Sequence, residues 1–192
     1  MTIDIAGFIT YLKDHAVEHG FHIHDERHFL ETYSLRQSWE VELHPESACD
    51  GPLDLILAFE VDPRVVLDLE ERLDDLEDDD ARPQGEFPLP LSFNWALPPM
   101  MAGPDLVVLA AEMAGIGGVD LPIEVSGVSS TGALSTGPEY RLSITGRVEI
   151  SLVDAMLGEE KLCDTLERCR AVSEFLVAQA EDWKVVYPEE PF

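Results

Sequence analysis

From Tyr140 to Ile150 the chain alternates strictly. Tyr140, Leu142, Ile144, Val148 and Ile150 are apolar, while Arg141, Ser143, Thr145, Arg147 and Glu149 are polar. A period of two belongs to a pleated strand, whose successive side chains point to opposite faces, and is useless to a helix. One face of this segment is therefore buried and the other wet, which points to an antiparallel sheet covered on one side. Gly146 falls in an inward slot, as a bulge or a close backbone approach requires.

The rest of the chain supplies partners for that strand. Leu53, Leu55, Leu57, Phe59 and Val61 alternate with Asp54 and Glu60, and Trp39, Val41 and Leu43 alternate with Glu40, Glu42 and His44. Ile56 and Ala58, on the second face, predict partial cover there. Leu89–Leu97 reads as another strand, Pro122–Val128 as the first arm of a hairpin, and Phe29–Arg36 as an extended piece. Helical spacing appears at 2–19, along Ile5, Phe8, Ile9, Leu12 and Ala16, with Gly20 as the left-handed stop. Asp62-Pro63 is a helix start, and Val65, Val66, Leu69, Leu73 and Leu76 form its stripe. Leu106–Ala114, ended by the glycines from Gly115 to Gly118, reads as a buried helix or a buried strand; periodicity does not decide between them, and the helix is preferred. The stripe Leu162, Leu166, Cys169, Val172, Leu176, Ala180, Trp183 predicts a long helix over 151–183, with a break expected at Gly158.

This order gives an α+β fold: a mostly antiparallel sheet of about six strands, an N-terminal helix, a long C-terminal helix and one or two inserted helices. Residues 1–186 are expected to form a single domain, with an acidic linker at 78–86 inside it and a loose tail at 187–192. With 192 residues, such a domain can bury its own core without disulfides or metal.

Charge narrows the partners. A net charge of −27 opposes binding to nucleic acid or to an anionic membrane surface. The longest strongly apolar run, Leu106–Ala111, falls far short of a membrane span. With no secretory pattern at the start and three cysteines, Cys49, Cys163 and Cys169, a reducing cytoplasmic setting is expected.

All six histidines, His15, His19, His22, His24, His28 and His44, lie in the first 44 residues. His15 and His19 are four apart on a helix and share a face. His22 and His24 are two apart in an extended segment and share a side. Together the four form a candidate metal set, with Asp25 and Glu26 as oxygen donors and zinc, copper, nickel or iron as the ion. The pattern lacks the internal glutamate of HExxH. Phosphate-binding loops and nucleophile motifs are likewise missing, and no catalytic constellation can be named.

The first expectation is therefore a cytoplasmic, non-enzymatic protein that binds another polypeptide in an adaptor, chaperone-like or neutralising role. The acidic surface suits a basic partner, and the C-terminal helix offers a face for a second copy. The alternative is a metal-binding protein using the histidines, with scope for metalloenzyme chemistry. The third is a small-molecule site lined by Trp39, Phe59, Phe93 and Trp95.

Overall fold

The computed structural model describes residues 3–49, 51–76, 82–132 and 139–183. Six strands form one sheet: β1 (Phe21–Leu30), β2 (Gln37–Pro45), β3 (Asp54–Val61), β4 (Pro88–Ala96), β5 (Ile123–Ser130) and β6 (Glu139–Ser151). Their spatial order is β1-β2-β3-β4-β6-β5, and every neighbouring pair is antiparallel. The fold is α+β, as the alternation of the strands requires.

Among the described residues five α-helices accompany the sheet: α1 (Ile5–Glu18), α2 (Pro63–Asp74), α3 (Leu106–Gly117), α4 (Leu152–Leu157) and α5 (Leu162–Asp182). The first three have carboxylate caps. Asp4 accepts from Gly7 N, Asp62 from Arg64 N, and Asp105 from Val107 N and Val108 N. Each such bond satisfies an N–H that the helix cannot pair internally. Gly118 and Gly158, at φ +66° and +67°, end α3 and α4 in the region that glycine enters without steric cost. No helix among the described residues is long and apolar enough to cross a membrane.

The core lies between one sheet face and the helices. Val41 and Leu43 of β2, Leu55 and Leu57 of β3, and Phe93 of β4 are fully buried beside Leu12 of α1, Leu69 of α2 and Leu176 of α5. The aromatics considered as a pocket lining belong here too. Trp39 stacks on Phe59, and Trp95 Nε1–H donates to Ser173 Oγ at 2.9 Å. Gly146 is a close approach: a methyl group there would stand 2.8 Å from Leu121 Cδ1. The stripe of α5 is consumed by its own chain, and the face left to solvent carries Glu167, Arg170 and Glu174.

The second sheet face carries Ser38, Glu40, Glu42, Ser92, Asn94 and Thr145 and is open. Ile56 is half-covered by side chains: Arg27 reaches Asp25 at 2.9 Å and lies 3.7 and 3.8 Å from Glu40 and Glu42.

Three local expectations change. The extended segment is Phe21–Leu30 rather than Phe29–Arg36. Residues 31–36 turn, with Glu31 N donating to Arg36 O, Leu35 N donating to Glu31 O, and Leu35 at φ +59°. The reason is that β1 is an edge strand whose one buried side chain is Phe21, so its sequence shows no apolar alternation. Helix α3 runs through Gly115 to Gly117 before Gly118 stops it. Helix α1 starts at Ile5 rather than at residue 2. The tail at 187–192 and residues 78–81 of the acidic linker lie outside the described residues.

Candidate metal centre

Strand pairing brings the site together. In the β1–β2 ladder His22 stands opposite His44, and the register shifts between Ile23 and Asp25. His24 is the extra residue of that bulge, a device that re-aims a side chain at a strand edge. Beyond Pro45 the chain makes one 3-10 turn, Glu46–Ala48, and Cys49 follows. This turn is tied to the start of β1, because Glu46 N donates to Gly20 O at 3.0 Å.

The result is a convergence of three donors. His22 Nδ1 lies 3.2 Å from Cys49 Sγ, and His24 Nε2 lies 2.9 Å from the same sulfur. His22 Nε2 is 3.7 Å from Glu46 Oε1, so a carboxylate stands behind one imidazole, an arrangement that orients ligating histidines. Both rings are exposed and Cys49 is half-buried.

A second layer supports His24. Its ring stacks on His44 at a centroid distance of 4.0 Å and 14° between planes. His44 is buried, and its Nε2 sits 3.1 Å from Asp54 Oδ1 and 3.3 Å from Glu42 Oε1. Its Nδ1 is buried with no hydrogen-bond partner. Burial pushes the Asp54 carboxyl up, and the neighbouring His44 opposes that shift. His24, Glu42 and His44 form a second donor group that shares His24 with the first.

The four histidines of the candidate set do not meet as one. His22 and His24 share a side, as their spacing predicts, but His15 and His19 join Cys163 in a separate group at the α1–α5 seam. There His15 Nδ1 is 3.7 Å from Cys163 Sγ, and His19 Nδ1 is 4.0 Å from Glu167. The expected oxygen donors are engaged elsewhere, Asp25 with Arg27 and Glu26 with Lys13. Sequence reasoning missed Cys49, whose position depends on the His22–His44 register and the turn after β2.

Chemically, two imidazoles and one thiol suit a borderline or soft transition metal and not magnesium or calcium, which prefer oxygen. Compared with protein-family models, curated proteins and solved structures, the chain matches none.

Proposed function

We propose that this is a transition-metal-binding protein that holds an exchangeable ion of the zinc or copper class at His22, His24 and Cys49. The observation that carries the reading is the approach of two imidazole nitrogens to one sulfur, at 2.9 and 3.2 Å. Around a tetrahedral zinc, bonds of about 2.0 Å to nitrogen and 2.3 Å to sulfur separate two such donors by about 3.5 Å. The two nitrogen–sulfur separations thus need to open by about 0.3 and 0.6 Å to reach it. Three protein donors also leave a coordination position free, the pattern of sites that exchange a ligand. The core is complete without the centre, which argues against a purely structural ion.

The test is zinc titration of the apo protein by calorimetry, with native mass spectrometry for stoichiometry. One zinc per chain is expected. Cys49→Ser and His24→Ala are each expected to weaken binding by about tenfold or more, since each removes a donor. The double variant His15→Ala/His19→Ala should leave this site intact. All these proteins keep the acidic surface, so loose attraction of cations by net charge is controlled. Absence of stoichiometric zinc, or zinc binding unaffected by both donor variants, would overturn the reading.

A second reading is that the chain acts by binding another polypeptide. The observation favouring it is that the sheet ends in two edge strands, β1 and β5, and that β5, unbulged and nearly uncharged, can accept a further strand.

A further inference from the structure

The two edges of the sheet are built differently. Strand β1 carries Asp25, Glu26 and Arg27 and a bulge at His24, features that discourage a further strand. Strand β5 has none of them. Its register with β6 is regular along its length, and Glu124 is its one ionisable residue. That carboxylate faces Arg147 of β6 at 3.8 Å, so its charge is offset within the chain.

The free side of β5 can be assigned. Arg147 N donates to Pro122 O, so residue 122 turns its backbone towards β6. By alternation Glu124, Ser126 and Val128 do the same, whereas Ile123, Val125, Gly127 and Ser129 present N–H and C=O to the open edge.

Helix α3 lies over this edge, against β5 and α5. Leu109, Met113 and Gly117 face the core. The opposite side shows Val107 at 80% exposure and Val108 at 54%, followed by Ala111, Ala114 and Gly115. Gly115 has nothing within 4 Å of where a methyl group would stand. Glu112 is the one charged residue of α3, and from Leu106 to Ser130 there is no Lys, Arg or His.

We infer that β5 and the outer face of α3 form a two-fold interface with a second copy of this chain. A strand that pairs with its own copy about a two-fold axis does so antiparallel, as in every ladder of this sheet, and α3 then meets its counterpart over the seam. The charge distribution favours a copy over a basic partner. Two chains of net charge −27 repel one another over most of their surface, whereas between Leu106 and Ser130 the acids are Glu112, Asp120 and Glu124, the last facing Arg147, and none lies on the open-edge positions of β5. A basic partner would find few carboxylates here.

Sedimentation velocity of the apo protein with chelator present tests this independently of any bound metal. At about 50 μM, well above a micromolar dissociation constant, the mass is expected to be twice the 21.3 kDa chain. Added salt should tighten the dimer, because it screens repulsion between like-charged bodies. Ala111→Glu, at an exposed site, should weaken association by about tenfold or more through like-charge opposition across the axis. Ser129→Pro removes an open-edge N–H while sparing the β6 ladder, and should weaken it similarly. Circular dichroism confirms that both variants fold. A monomer at this concentration in high salt would overturn the inference, as would a dimer indifferent to both variants or one that salt dissociates.

Discussion

At the scale of single residues, the sulfur of Cys49 lies within 3.2 Å of one ring nitrogen each of His22 and His24. Spacing placed His22 and His24 on one side, and that pairing holds because both lie in an extended strand. Cys49 carried no such signal, since its distance from β1 is set by a ladder register and not by a spacing. The role proposed for it is tested by the substitutions given above. Tyr11 offers a separate check on the structure. Its Oη–H donates to the Glu160 carboxylate, and that bond, helped by burial, holds the phenol up to about 12 against an ordinary value of 10. The folded state therefore favours the protonated phenol. Its contribution to stability is complete below pH 10 and is lost as the pH rises towards 12. Phenolate absorbance should show one of the four tyrosines ionising late, and Tyr11→Phe should remove that step and flatten the alkaline loss of stability.

At the scale of elements, legibility followed burial. Strands β2, β3, β4 and β6 bury one face, so the period of two shows through, and α1, α2 and α5 show apolar stripes. Strand β1 was misplaced because an edge strand over thin cover has no need of alternating side chains. Helix α3 starts at Leu106 as its sequence indicates but runs three residues past Ala114, because Gly115 and Gly117 read as breakers yet both are helical here. Two substitutions test these elements by chemical denaturation. Gly146→Ala forces a methyl group against Leu121 and Trp95 in the core and should cost about 1–3 kcal/mol. Asp105→Ala removes the acceptor for two α3 N–H groups and should cost about 1 kcal/mol.

For the whole molecule, the sheet separates two jobs. Its covered face holds the core, and its open face and the turn after β2 hold the His/Cys donors. Chelator-treated protein should accordingly stay folded. An ion at a hundred times its dissociation constant should raise stability by about 2.7 kcal/mol, seen as a melting temperature several degrees higher. Lower pH should weaken binding, since protons compete for the donor atoms. A chain that unfolds on chelation would contradict this division. The wet face of the sheet also has an evolutionary consequence. Donors mounted there can be exchanged, a thiol for an imidazole or an imidazole for a carboxylate, without disturbing the packing beneath. On the proposed reading, descendants of such a scaffold are free to drift in which ion they prefer while their shape stays fixed.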